Sequence, residues 1–314
     1  MIQRYFITGA TGFVGSNIVR SLVHGDNHVC VFARNKNLNW RLSDIRNRLT
    51  IYEGDFHTTD FSSLFQKEKP TVVFHLASYG TTPKENSFAD MMDVNIKGLH
   101  RLLRASQNSS IRLFVNTGSS SEYGIKTKKM NEDDPIQPIN EYGVSKAAAT
   151  LLCQEFSKQS SFTLTTFRLF SPYGPYDEPT RFIPSVINAG LTRIPLAASS
   201  PKFVRDFIFI DDIVRAYIMA SRKRFDALNG HIINIGSGKE ETLGSIVELA
   251  EKIVRKKILL HWNEKPKQER QIEPKKWQAD IRKAMKLLGW TPKYTIQSGL
   301  EQTMTWMIQS NITI

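Results

Sequence analysis

Residues 8–15 read "TGATGFVG", directly behind the apolar run "RYFIT" (4–8) and at the head of an amphipathic stretch covering about 13–24. Gly9, Gly12 and Gly15 let the backbone turn tightly out of a strand and pass close to a pyrophosphate. Phe13 and Val14 then begin a helix whose first N–H groups have no partner within it, so its positive end suits the same anion. Three spaced glycines are weak by themselves. Between a first strand and a first helix they favour a dinucleotide-binding loop over a merely structural turn.

Outward from this loop, short apolar runs alternate with amphipathic segments. The runs are "RYFIT" (4–8), "HVCVFA" (28–33), "LTIY" (49–52), "TVVFHLA" (71–77), "IRLFVN" (111–116) and "TLTTFRLF" (163–170), with helix-like stretches near 13–24, 61–68, 87–108 and 142–158. Nearly continuous apolar strands alternating with helices indicate a parallel sheet covered on both faces, a doubly wound α/β (Rossmann) architecture. Beyond Ser171 the rhythm breaks at Pro172, Gly174, Pro175, Pro179, Pro184 and Pro195, before "FIFIDDIVRAYIMAS" and "HIINIG" (231–236) resume it. The expected division is a nucleotide-binding domain of 1–171 plus about 206–236. A smaller substrate-binding lobe would be built from about 172–205 plus 237–314.

Composition bounds the partners. With 314 residues, 40% hydrophobic and 23% charged, the chain is of ordinary globular make-up. No apolar run approaches the roughly 18 residues needed to cross a bilayer, and the expectation is a soluble, cytoplasmic protein without a membrane partner. Cys30 and Cys153 lie in a strand-like and a helix-like segment, without companions at metal-ligand spacing, and read as buried free thiols. The formal charge is +12, and residues 252–286 hold twelve Lys/Arg against four Asp/Glu. Interruption by Pro and Glu, and the lack of an aromatic stacking series, favour a solvated basic face over a nucleic-acid site.

The second strand bears on the cofactor. A carboxylate at its end would hold the adenosine ribose hydroxyls, but "VCVFARNKN" offers Ala33, Arg34 and, close behind, Lys36. A guanidinium pairs with a 2′-phosphate, so NADP(H) is favoured and NAD(H) is the other possibility. Asp55, ending the third strand in "EGDF", either accepts from the adenine amine or serves its own turn.

In "NEYGVSKAAA", Tyr142 and Lys146 stand four apart at the start of an alanine-rich helix and so share a face. A phenol with a pKa of about 10 must fall by roughly 3 units to exchange protons readily near neutrality, a difference of about 4 kcal/mol. One ammonium about 4 Å away at an effective dielectric of 20 contributes about that much. Downstream of a dinucleotide loop, the pair reads as acid/base machinery.

Ten segments now occur in one order: "TGATGFVG", "GDF", "HLAS", "DVNIKG", "SSSEYG", "YGVSK", "RLFSPYGP", "RDFIFIDDIVRA", "NIGSGKEETL" and "ADIRKAMKLLGWTP". Over nearly its whole length the chain resembles the extended short-chain dehydrogenases/reductases of the NAD-dependent epimerase/dehydratase family, which act on nucleotide-sugars. The resemblance implies that Ser119 is the catalytic hydroxyl that binds the reacting sugar oxygen, with Ser120 beside it. Phe56, Leu76, Ala77 and Ser78 would join the cofactor contacts. Ser120 and Ser121 occupy the two positions where similar 4,6-dehydratases carry an Asp-Glu pair, and hydroxyls cannot do that proton work at neutral pH.

On the substrate side, Arg205 in "VRDF" and Arg270 match family positions that bind the nucleotide diphosphate, and Arg181 in "TRFIP" is either a third contact or a surface arginine. Ser171 replaces the Asn of many relatives. Tyr79, followed by Gly80, resembles 4-keto-6-deoxyhexose reductases of the CDP-abequose synthase kind and would line the sugar pocket. His75 reads as a core histidine. The leading expectation is NADPH-dependent reduction of the C4 keto group of a nucleotide-linked 4-keto-6-deoxyhexose. In it, Tyr142 protonates the alkoxide, Ser119 orients that oxygen and Lys146 holds the nicotinamide ribose. The alternative is a nucleotide-sugar 4-epimerase with tightly bound NAD. A reading of another class is a non-catalytic NADP-binding sensor or RNA-associated module. The family likeness also implies a homodimer through the helices near 87–108 and 142–158.

Overall fold

The computed structural model describes residues 3–35, 40–82, 85–222, 225–262 and 276–310. Seven strands form one sheet: β1 (Arg4–Thr8), β2 (His28–Ala33), β3 (Thr50–Glu53), β4 (Val72–His75), β5 (Leu113–Ser119), β6 (Thr163–Leu169) and β11 (Ile232–Ile235). The order across it is β11-β6-β5-β4-β1-β2-β3, with every pairing parallel. The chain walks outward from β1 to β3, then returns to place β4 on the other side of β1. That reversal opens a crevice at the carboxyl ends of β1 and β4, the position where doubly wound sheets take their ligands.

The elements follow from their residues. The strands β4 and β6 are buried along their whole length, as a sheet covered on both faces requires. On one side lie α1 (Phe13–Leu22) and α7 (Ile210–Arg222), whose Ile18, Val19, Ile213 and Ala216 join the core with Ile7, Val31 and Phe74. On the other side, α2 (Phe61–Glu68), α4 (Leu99–Ser106) and α5 (Glu141–Ser157) cover Phe6, Val73 and Phe114. Asp60 caps α2 by accepting from the N–H groups of Ser62 and Ser63.

The segment expected as one helix near 87–108 is composite. It contains α3 (Phe88–Met91), a π-helical stretch over Met92–Gly98, and α4. The π turn presents Asn95, whose side chain accepts from Tyr79 N at 2.8 Å and donates to Tyr79 O and Ser145 Oγ, each at 2.9 Å. It thereby ties the loop after β4 to α5.

Of the two later strands expected to return to the first domain, β11 joins the sheet beside β6. The other, β10 (Phe207–Phe209), pairs with β7 (Ser171–Tyr173) in a separate two-stranded ribbon. Two further ribbons stand apart from the sheet: β9 (Val204–Arg205) pairs with β12 (Glu241–Thr242), and β8 (Leu196–Ala198) with β13 (Leu260–Trp262). Around them lie α6 (Phe182–Thr192), α8 (Leu243–Val254), α9 (Arg282–Leu288) and α10 (Ile296–Gln309). Both cysteines are buried free thiols. No helix among the described residues is long and apolar enough to cross a membrane.

Candidate active site

A cleft of about 990 Å³ runs along the carboxyl edge of the sheet. At one end Gly12 starts α1 without any side-chain cap, so the first helical N–H groups have no side-chain acceptor. Gly9 has φ +67, and a Cβ there would lie 2.4 Å from Ala77 N. Only glycine lets the loop press this closely on the end of β4. Gly9, Gly12, Phe13, Val14, Gly15, Arg34, Asp55, Phe56, Leu76, Ala77 and Ser78 all line the cleft, as the sequence implies for a dinucleotide. Arg34 is exposed at its mouth, and the Asp55 carboxylate accepts from His57 N at 2.7 Å, the turn role that the sequence left open. Lys36 lies outside the described residues.

In the middle of the cleft, Asn140 caps α5 by accepting from Gly143 N at 2.7 Å, which sets Tyr142 in the first turn and Lys146 one turn on. A Cβ on Gly143 would fall 2.7 Å from Ser121 O, so the helix seats directly on the turn Ser120–Glu122. That turn is shaped by a reciprocal capping box. Ser119 Oγ accepts from Ser121 N at 3.1 Å, and Glu122 Oε1 accepts from Ser119 N at 2.7 Å. Arg168 Nε donates to Glu122 Oε2 at 2.7 Å, and both partners are buried. The sequence reading missed this pair, although the Ser-x-x-Glu spacing of Ser119 and Glu122 is a legible capping signature.

The electrostatics depart from the expectation that an ammonium depresses the phenol. Burial pushes the Tyr142 phenol above its ordinary value, against the pull of the nearby hydroxyls of Ser78 and Ser119 and the charge of Arg181. Lys146 is only 3% exposed, and burial lowers it to about 8 against the opposing influence of the Glu122 carboxylate. Among the described residues, no hydrogen bond or ion pair holds the Lys146 ammonium, and its side chain lines the cleft. A buried cation of this kind, together with the uncapped start of α1, fits a dinucleotide whose ribose hydroxyls and pyrophosphate meet them. His75 is the satisfied core histidine expected. It is 2% exposed, stands 2.8 Å from Thr8 Oγ1, and is lowered to about 3 by burial.

The far end of the cleft is lined by Tyr79, Ser119, Ser120, Ser121, Ser171, Arg181, Arg205 and Trp277. Trp277 Nε1 donates to Ser120 Oγ at 3.2 Å, and the Arg205 guanidinium stands 5.5 Å from the indole ring. Arg181, at the start of α6, lies 4.0 Å from Asp177, and its charge also acts on Tyr142. Arg270 lies outside the described residues.

Asp206 is a second residue missed from sequence. Its buried carboxylate accepts from Ser237 N and Oγ, each at 2.6 Å, from Ala279 N at 2.9 Å and from Gly238 N at 3.0 Å. It binds together the segments that carry Arg205 and Trp277. No short-range pattern foretells contacts between positions 206, 237 and 279.

The family model described as "NAD dependent epimerase/dehydratase family" matches residues 5–236. The chain is 29% identical to the "Uncharacterized UDP-glucose epimerase YtcB" of Bacillus subtilis (strain 168), over 97% of this chain and 98% of that protein. It is also 29% identical to human dTDP-D-glucose 4,6-dehydratase, over 97% of this chain and 89% of that protein. A solved UDP-glucuronic acid 4-epimerase from Bacillus cereus, in complex with UDP-glucuronic acid and NAD, superposes with a TM-score of 0.87. Its identity is 28%, over 98% of this chain and all of the other. The chain thus belongs to the NAD dependent epimerase/dehydratase family and is an enzyme of its NAD(P)-dependent kind.

Proposed function

We propose that this enzyme is a nucleotide-sugar 4-epimerase that retains NAD through turnover and acts on a UDP-hexose or UDP-hexuronate. The observation that carries the reading is the makeup of the Ser119–Glu122 turn. It offers hydroxyls at Ser120 and Ser121 where a dehydratase needs proton-transferring carboxylates, and its one carboxylate, Glu122, is buried against Arg168. The relatives and solved neighbours named as 4-epimerases support this alternative over the ketoreductase expected from sequence.

Bound NAD would supply the hydride acceptor at C4 and, in its oxidised form, a positive charge beside the phenol. The chain's own residues do the rest. Tyr142 takes the proton of the C4 hydroxyl as that carbon is oxidised and returns it after the ring has presented its other face. Ser119, held by its capping box, donates to the same sugar oxygen. Lys146 would hold the cofactor ribose. Arg205 answers the nucleotide diphosphate, while Arg181 and the three serines suit an anionic substituent on the sugar, which supports a uronate. Tyr79 and Ser171 would border the ring. In this proposal residues 1–171 plus about 206–236 carry the cofactor, and about 172–205 plus 237–314 carry the substrate. The implied homodimer belongs with it, since Val144 and Leu151 are exposed seven residues apart on one face of α5.

A second reading, an NADPH-dependent ketoreductase, is favoured by Arg34 and the absence of an acidic residue after Ala33. One experiment separates the two. Purified enzyme is incubated with UDP-glucuronic acid and UDP-glucose, without added nicotinamide, and C4 inversion is followed by proton NMR. Conversion by protein that releases one NAD per chain on denaturation is expected. A requirement for added NADPH, consumed in proportion to product from a 4-keto sugar, would overturn the proposal.

A further inference from the structure

Away from the cleft, at the amino edge of the sheet, three potential metal ligands converge. His28 opens β2, Cys30 follows two residues later on the same face of the strand, and Glu68 closes α2. His28 Nε2 stands 3.2 Å from Cys30 Sγ and 3.0 Å from Glu68 Oε2, and Sγ stands 3.1 Å from the same Oε2. Bonds of roughly 2.0–2.3 Å to a tetrahedral zinc ion hold their ligand atoms roughly 3.3–3.6 Å apart. Each edge of the triangle therefore has only a few tenths of an ångström to open.

The surroundings are built for a fixed carboxylate. Tyr52 OH donates to Glu68 Oε1 at 2.5 Å, which leaves Oε2 to face the imidazole and the thiol. Arg4 Nε donates to the backbone oxygen of Glu68 at 2.6 Å and ties the end of α2 to the start of β1. Cys30 and Glu68 are buried, while the His28 side chain is 32% exposed and gives an ion a way in. The nearby Arg4 guanidinium, 3.6 Å from Glu68 Oε2, opposes a cation, but a carboxylate and a thiolate together outweigh it.

We propose that His28 Nε2, Cys30 Sγ and Glu68 Oε2 bind a zinc ion that staples β2 to the end of α2, its fourth position taken by water on the exposed side of His28. On binding, the Cys30 thiol gives its proton to solvent and the thiolate becomes the ligand. The mixed nitrogen, sulfur and oxygen donors suit zinc over magnesium or calcium, which demand oxygen. His28 and Cys30 lie five and three strand residues, roughly 16 and 10 Å, before the carboxyl end of β2. Its role is structural, and turnover does not depend on it.

The test uses the full-length enzyme, treated with chelator and titrated with Co²⁺ and then Zn²⁺. One equivalent of Co²⁺ is expected to bind with a near-ultraviolet thiolate-to-cobalt charge-transfer band, which Zn²⁺ abolishes, and Zn²⁺ should raise the melting temperature. His28→Gln, at a half-exposed position, should weaken binding roughly 100-fold or more by removing one of three protein ligands. Tyr52→Phe should weaken it about 10–100-fold by freeing the carboxylate. Cys30→Ser should remove the charge-transfer band; if that variant does not fold, His28→Gln carries the test. Absence of the band in the wild-type enzyme, or full binding in His28→Gln, would overturn the proposal.

Discussion

Tyr142 and Lys146 are separable by what they do to stability and to turnover. Tyr142→Phe keeps the ring and removes the proton carrier, so kcat is expected to fall about 10²–10⁴-fold with little change in KM. Steady-state epimerisation kinetics check this. Lys146 is a buried ammonium whose folded-state value of about 8 lies below its ordinary 10.5. Between those values the unfolded chain binds the extra proton, so stability rises with pH through that window, and below it the charge is a standing cost. The shift corresponds to about 3 kcal/mol. Lys146→Met should therefore stabilise the protein by about 1–3 kcal/mol at pH 7, lose that advantage near pH 10 and have little activity. Denaturant midpoints at the two pH values measure it, and an unchanged midpoint at pH 7 would contradict the assignment. This is the physical signature of a residue retained for a ligand rather than for the fold.

At the level of elements, the reactive geometry depends on how α5 seats on the Ser120–Glu122 turn. Gly143 lets the helix approach, Asn140 begins it, and the buried Glu122–Arg168 pair holds the turn from beneath. Gly143→Ala adds a methyl group where only 2.7 Å separates it from Ser121 O. The helix must then lift. A displacement near 1 Å at the reacting groups costs about 10²-fold in rate, so kcat should fall at least about 10-fold while cofactor content is unchanged. Comparing bound nucleotide and turnover in the purified variant checks both halves. The positions of Tyr142 and Lys146 were legible because helical spacing is local. The π-helical turn that presents Asn95 was not, because a single widened turn leaves no mark on an amphipathic pattern.

For the whole molecule, Asp206 joins three segments far apart in sequence around the substrate end of the cleft. Asp206→Ala leaves the buried N–H group of Ala279 and the part-buried N–H groups of Ser237 and Gly238 without that acceptor. The expected loss is at least about 3 kcal/mol of stability. The nucleotide-sugar KM should rise by more than kcat falls, because Arg205 and Trp277 lose their shared anchor while Tyr142 keeps its own. Thermal unfolding and a KM-against-kcat comparison decide it. By itself the sequence determined the alternation of strands and helices, the glycine loop at the head of α1 and the Tyr142–Lys146 spacing, since each arises from neighbours within a few residues and from side-chain periods of 2 and 3.6. Only the tertiary structure decided that β10 leaves the sheet, that Glu122 and Arg168 hold Ser119, that Arg181 lines the same cleft as Tyr142, and that burial raises Tyr142 and lowers Lys146. Those outcomes depend on desolvation and on contacts between distant parts of the chain, quantities that exist only once it has closed around its own cleft.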